Sequence, residues 1–246
     1  MTKTLILIPS RMAATRLPGK PLLKINNLSI VSHVFKRAEE ANIGEVVVAT
    51  EDQDIIADVQ KNGGKAILTN NNHKTGTDRI FEAYKKLDIK NVDYILNLQG
   101  DEPDINKDDI INLNNLMISH DAEMGTLAAK VLDNKMFDNR NVVKVITDKK
   151  LVENNFPTAL NFTRDNLLTE SQKIYHHIGI YSYKISVLEK FVSLDQTDNE
   201  KINKLEQLRA LDNKLKINVA LAKSSPIGVD TKEDYLAIKK IMEYKI

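Results

Sequence analysis

The stretch Leu5–Leu23, LILIPSRMAATRLPGKPLL, decides how the chain is read. It opens with an unbroken apolar run, Leu5 to Ile8, the pattern of a strand buried on both faces of a sheet. It then passes into a segment punctuated by Pro9, Pro18, Gly19 and Pro21 and carrying Arg11, Arg16 and Lys20, before helical periodicity resumes near Ser29. Ligands of an open α/β sheet sit beyond the carboxyl ends of its parallel strands, so a strand emptying into a cationic loop is suited to anions. The loop reads as a polyphosphate site with Arg11, Arg16 and Lys20 as its cations; the alternative is a solvated basic surface loop. It is not a P-loop. Ala14 stands where that motif needs its first Gly, and Pro21 where it needs the Ser or Thr that reaches magnesium. No G-x-G-x-x-G occurs in the chain.

Composition narrows the function classes. With 246 residues, 42% of them hydrophobic, the chain can bury a sizeable core within one α/β domain. A formal charge of +1 creates no global field toward nucleic acid or membrane, so any anion binding must be local. The absence of cysteine removes disulfides, thiolate nucleophiles and Cys-ligated zinc. The apolar run at Leu5 is too short for a signal-peptide core, and no stretch reaches the ~20 apolar residues of a membrane span. A cytoplasmic protein is the expectation.

Outward from the opening stretch, the pattern alternates strand and helix. Ile30, Val31, Val34, Phe35 and Ala38 lie at helical spacing, and Val46–Val48 reads as the next buried strand, completing a βαβ unit. Asp52 can cap a helix carrying Ile55, Ile56 and Val59, which Gly63-Gly64 stop before a short strand at 65–68. After His73-Lys74-Thr75-Gly76-Thr77-Asp78-Arg79 comes a helix with Ile80, Phe81, Tyr84 and Leu87 inward; Thr77 is a possible cap and Arg79, read locally, is solvated. The strand at 94–98 ends in Gln99-Gly100-Asp101-Glu102-Pro103. A carboxylate just past a central strand, beside a Gly that admits close approach, can hold Mg²⁺ while phosphates supply further ligands; an acidic turn is the alternative.

Asn106 and Asp109 open a helix with Ile110, Leu113, Leu116 and Met117 inside, and strands follow at 125–131 and 141–146. Lys144 is either an edge-strand gatekeeper or a residue facing the site. In His177-Ile178-Gly179-Ile180-Tyr181, strand alternation puts His177 and Tyr181 on one face, a donor pair suited to a carboxylated, hydroxylated ligand. Residues 199–212 read as one helix with Ile202, Leu205, Leu208 and Leu211 inward and Glu206 beside that stripe, where it pairs with Arg209 or serves the site. A last strand at 216–222 leads to Gly228-Val229-Asp230-Thr231. Thr231 with Asp234 begins a helix burying Tyr235, Ile238, Ile241 and Met242, and Asp230 has a local explanation in helix-end electrostatics.

These blocks together resemble the 3-deoxy-manno-octulosonate (Kdo) cytidylyltransferase family. The likeness rests on Ile8-Pro9-Ser10-Arg11, Thr15-Arg16-Leu17-Pro18-Gly19-Lys20-Pro21-Leu22, the block ending at Arg79, Gln99-Gly100-Asp101-Glu102-Pro103, Asn141–Val145, His177–Tyr181, Leu205-Glu206-Gln207-Leu208-Arg209 and Gly228-Val229-Asp230-Thr231. It weakens over 120–140 and 150–175, where the segment after Arg164 is short. The resemblance implies a Rossmann-like α/β fold of the nucleotide-diphospho-sugar transferase type, a mixed, mostly parallel sheet with helices on both faces. It implies a single nucleotidyltransferase domain over 1–246 with a sugar-binding and dimerisation extension at about 120–190, and a homodimer. The implied reaction joins CTP and Kdo into CMP-Kdo and pyrophosphate for lipopolysaccharide synthesis, with Mg²⁺ as cofactor. By the same resemblance Arg11, Arg16, Lys20, Arg79 and Gln99 bind CTP, Asp101 and Asp230 hold the metal, and Arg11, Lys20 and Asp101 carry catalysis. Gln99, Arg164, His177, Tyr181, Glu206 and Gln207 meet the sugar. The same chemistry on 8-amino-Kdo is the nearest alternative, ahead of a sialic acid cytidylyltransferase. A glycosyltransferase of similar topology and a non-catalytic nucleotide-binding protein are more distant ones.

Overall fold

The computed structural model describes residues 2–13, 16–131, 138–165 and 173–244. The chain forms two compact units, one of residues 1–110 with 226–246 and one of residues 111–225.

The first unit is built on β1 (Thr4–Ser10), every residue of which is buried. It is flanked by β4 (Gly44–Thr50), with Ile6 opposite Val46 and Ser10 opposite Thr50, and by β6 (Tyr94–Asn97), with Leu5 opposite Ile95; β5 (Ala66–Leu68) extends the β4 side. All these pairings are parallel. Right-handed crossovers from β1 through α1 (Ile30–Ala41) to β4, and through α2 (Gln53–Lys61) to β5, place both helices on one face. The return from β5 to β6 runs through α3 (Gly76–Leu87) and covers the opposite face. A two-stranded ribbon, β2 (Lys24–Ile25) with β3 (Leu28–Ser29), follows the basic loop. Its Ile25 packs with Ile30, Val229 and the Ile238 and Met242 faces of α8 (Lys232–Glu243). That small core brings the C-terminal segment back to the loop after β1.

The helix starts follow local chemistry, with two corrections: Asp52 stands at the N-cap position of α2, but its carboxylate makes no bond to that helix, and α3 is capped by an earlier residue than expected. Thr75, not Thr77, caps α3: its hydroxyl accepts from the Asp78 amide at 3.2 Å while the Asp78 carboxylate accepts from the Thr75 amide at 3.2 Å. A Thr-x-x-acid pattern satisfies both ends of this exchange, whereas Thr77 has no acidic residue three positions on. Thr231 and Asp234 make the same reciprocal pair at α8, as expected.

In the second unit β7 (Met124–Ala129) lies between β11 (Ile217–Leu221), parallel to it, and β10 (Ile174–Lys184), antiparallel; β10 also pairs β8 (Lys144–Thr147), which pairs β9 (Ala159–Thr163). The helix α4 (Lys107–Ser119) precedes β7, and α5 (Ile185–Ser193) follows β10. The helix expected over 199–212 is instead two short ones, α6 (Asp198–Asn203) and α7 (Gln207–Asp212). Lys204 between them is left-handed at φ 54°, which ends α6 and turns the next residues away from its axis. Ile202, expected inward, is therefore 79% exposed, and Glu200 takes the buried side. There it receives the Arg209 Nε at 2.8 Å and Nη2 at 2.6 Å, an ion pair with both side chains 4% exposed. Lys144 is not an edge residue, since β8 is paired on both sides; it is 1% exposed and donates to the carbonyls of Asn139 at 3.1 Å and Arg164 at 2.8 Å.

Candidate active site

A polar cleft opens in the first unit at the carboxyl ends of β1 and β6. Arg11, Arg16 and Lys20 line it from the basic loop, Lys74 and Arg79 from the start of α3, Gln99 and Asp101 from beyond β6, and Asp230 from the segment before α8. The parallel strands end here together, which is why residues far apart in the chain share one wall.

Two aspartates converge on one ammonium. Lys20 Nζ lies 2.8 Å from Asp101 Oδ2 and 3.4 Å from Asp230 Oδ1, and Arg16 Nη2 lies 3.1 Å from Asp230 Oδ2. The convergence is built into the backbone, since the Val229 amide donates to the Asp101 carbonyl at 2.9 Å. Gly100 permits the tight packing under Asp101: a Cβ there would sit 2.9 Å from the Pro9 carbonyl oxygen. Next to Asp101, the Glu102 carboxyl is buried, and burial first, then the Asp101 charge, push its pKa up to about 8. Glu102 thus stays largely protonated near neutral pH. Its carbonyl accepts from the Ile105 amide at 3.2 Å, so it serves the turn.

The donor set fits a divalent cation of oxygen chemistry. Two carboxylates already face one positive charge, and among the described residues no group of three or more Asp, Glu, His or Cys side chains would complete a shell by itself. A hard cation held this way takes its other ligands from phosphate and water.

The remaining residues of the first unit divide by what already occupies them. Arg11 is exposed at the cleft, and Gln99 lies half-buried in its lining. Arg79 is 3% exposed, with its guanidinium on Glu51, on the Thr69 hydroxyl at 2.7 Å and on the Asn70 carbonyl at 3.2 Å. It forms a wall whose donors are largely spent. Sequence reasoning gave no role to Lys74, which also lines the cleft, nor to Glu51 just past β4, and it read Asp52 only as a helix cap. Lys74 had a signal, a cation directly before a helix start, where anions also favour the N-terminus.

The residues expected at the sugar lie in the second unit. His177 and Tyr181 share a face of β10, with ring centroids 5.4 Å apart, even though the register against β7 shifts between Ile178 and Tyr181. The Thr126 hydroxyl fills that irregularity, 2.7 Å from the Ile180 carbonyl and 3.1 Å from His177 Nε2. Its single proton goes to the carbonyl, so His177 donates from Nε2 and is the neutral Nε2–H tautomer. Burial, then the charge of His176, lower the His177 pKa to about 3. Burial, with Tyr183 and Glu206 nearby, raises that of Tyr181 well above the usual phenol value, against a hydrogen bond with Thr126 that lowers it. Glu206 stands at the start of α7 with Arg209 3.8 Å away, Gln207 is buried, and Arg164 Nη1 donates to the carbonyls of Arg140 and Asn141 at 3.2 Å each. Arg209 is structural, as read from the sequence, but its main partner is Glu200. The reading of Ala14 and most of the short segment after Arg164 lie outside the described residues.

A parallel-sheet cleft with a basic loop after the first strand and paired carboxylates opposite it defines a nucleotide-handling α/β protein. Residues 5–217 match the family model described as cytidylyltransferase, and the chain belongs to that family. Within it the chain falls among the 3-deoxy-manno-octulosonate cytidylyltransferases. Proteins of that name from Rhodopseudomonas palustris strain BisB18 and Nitrobacter hamburgensis are each 43% identical, over 99% of this chain and 99% of the first protein, and over 98% of this chain and 93% of the second. A solved structure of CMP:2-keto-3-deoxy-manno-octonic acid synthetase complexed with CTP is 32% identical, covers 100% of both chains and superposes with a TM-score of 0.90. The family resemblance and the mixed, mostly parallel α/β fold expected from the sequence are both borne out.

Proposed function

We propose that this chain activates Kdo with CTP, giving CMP-Kdo and pyrophosphate, as a step of lipopolysaccharide synthesis. The observation that carries the reading is the meeting of Lys20, Asp101 and Asp230 in one cleft under the basic loop. In the reaction the anomeric hydroxyl of the sugar attacks the α-phosphorus in line, its oxygen forms the new phosphoester, its proton is lost and pyrophosphate departs. Two anions must approach each other, so positive charge has to be concentrated where the phosphates lie. Arg11 and Lys20 would hold the triphosphate, with Arg16 beside them, and Gln99 and the Arg79 wall would orient the nucleotide. Asp101 and Asp230 would hold Mg²⁺, which supplies Lewis-acid stabilisation of phosphate charge when bound.

On the sugar side, the buried Tyr181 hydroxyl, Glu206, Gln207 and Arg164 are the groups proposed to orient Kdo, with His177 as a neutral support. Among the described residues no helix is long and apolar enough to cross a membrane. A cytoplasmic location and a homodimer are part of the proposal. The test is pyrophosphate release from each of the four nucleoside triphosphates with Kdo and with 8-amino-Kdo, with and without Mg²⁺. Release confined to CTP, Kdo and Mg²⁺ is expected; binding of CTP with no release for either sugar overturns the reading.

A further inference from the structure

We propose that Asp52 is a positioning residue for the basic loop after β1, holding it in the shape that receives the triphosphate; this rests on the function proposed for that loop. Asp52 occupies the N-cap position of α2, with extended backbone at φ −102° and ψ 121°. An aspartate there ordinarily turns its carboxylate onto the first amides of its own helix. This one makes no such bond. Its Oδ2 instead accepts from the Met12 amide at 2.7 Å, a residue forty positions away in sequence.

The choice of partner has a physical basis. The end of β4 is in register with the end of β1, Thr50 opposite Ser10, so Asp52 emerges beside the point where the chain leaves the strand for the loop. Its own amide is held by the Thr50 hydroxyl at 3.1 Å, which steadies the carboxylate's mount. Met12 directly follows Arg11, and the loop carries Arg16 and Lys20 besides. A carboxylate on the Met12 amide is a charge-assisted tether, of the stronger kind of hydrogen bond, and its negative charge offsets repulsion among the loop's cations. Glu51, the preceding residue, grips Arg79 of α3 in the same manner, so the end of β4 holds both sides of the cleft. A loop ordered beforehand binds its anion without bearing the ordering cost at each encounter.

The test compares Asp52→Ser and Asp52→Asn with the wild type. Serine suits an N-cap position and so keeps the fold, but is too short to hold the Met12 amide; asparagine retains an acceptor oxygen at the same reach. The readouts are KM for each substrate by pyrophosphate release and the rate of tryptic cleavage after Arg11 and Arg16 in the unliganded protein. Asp52→Ser should raise KM for CTP about tenfold, with KM for the sugar and kcat within about twofold, and should speed cleavage in the loop. Asp52→Asn should restore most of both. Unchanged CTP affinity and cleavage in the serine variant, an equal rise in both KM values, or an asparagine variant no better than serine overturns the assignment. If the wild type turns over no CTP, the proposed function fails, and the cleavage rates alone still decide whether Asp52 orders the loop.

Discussion

Replacing His177 with Gln should flatten the acid side of the stability curve. The ring is 8% exposed, stacked edge-on against Phe162 at 5.1 Å and donating to Thr126, and burial, then His176, hold its pKa down to about 3. In the unfolded chain it titrates near 6.5, the ordinary value for an imidazole. The folded pKa is depressed, so as pH falls below 6.5 the unfolded state takes up a proton that the folded state refuses, and stability is lost until the pH approaches 3. At pH 5 the unfolded imidazole is protonated about 30 to 1, which amounts to about 2 kcal/mol of destabilisation relative to pH 7.5. That figure barely depends on the folded value, provided it stays below about 4. Urea unfolding followed by circular dichroism at pH 7.5 and pH 5, in wild type and in His177→Gln, isolates the term. His33 and His176, also lowered by burial, contribute to both proteins and cancel in the difference. The wild type should lose about 2 kcal/mol more than the variant. An equal loss in the two proteins refutes the burial argument. The result bears on chemistry as well: a histidine neutral throughout the physiological range can orient an acidic sugar by hydrogen bonding but cannot neutralise it.

Three further outcomes follow from the cleft and its supports. Asp101→Asn should abolish Mg²⁺-dependent pyrophosphate release while CTP still binds weakly in equilibrium dialysis; full turnover would remove Asp101 from the metal site. Lys20→Ala removes a charged donor from the proposed phosphate site and should raise KM for CTP about 10- to 100-fold while moving KM for the sugar little, whereas equal changes in both would place Lys20 elsewhere. Glu200→Ala leaves the Arg209 guanidinium buried without its main partner and should cost about 3–5 kcal/mol in urea unfolding, and a cost below about 1 kcal/mol would mean the pair is dispensable.

Much of the first unit could be read from local pattern. The buried run at Leu5, the amphipathic spacing from Ile30 and the Thr231–Asp234 cap each depend on residues a few positions apart, so they survive into the fold almost unchanged. The errors came where neighbouring signals competed. Two threonines lie at the start of α3, Thr75 and Thr77, and only a partner three residues on selects between them. The helix expected over 199–212 matched its apolar spacing, but the left-handed turn at Lys204 and the buried Glu200–Arg209 pair outweighed that spacing. The role of Lys144 stayed open for a different reason: the carbonyls that satisfy its amine belong to segments flanking it in space.

The composition of the loop after β1 was enough to specify a stiff cationic turn, because proline stiffness and clustered cations act where they are written. The pairing of Asp101 with Asp230 on Lys20, the diversion of Asp52 from its own helix to Met12, and the occupation of Arg79 by Glu51 come from another level. They depend on strand order, on the hand of the crossovers and on which end of the sheet each connection leaves. Those are properties of the folded chain as a whole, since a side chain's choice among distant partners is made by packing geometry and not by its neighbours in sequence.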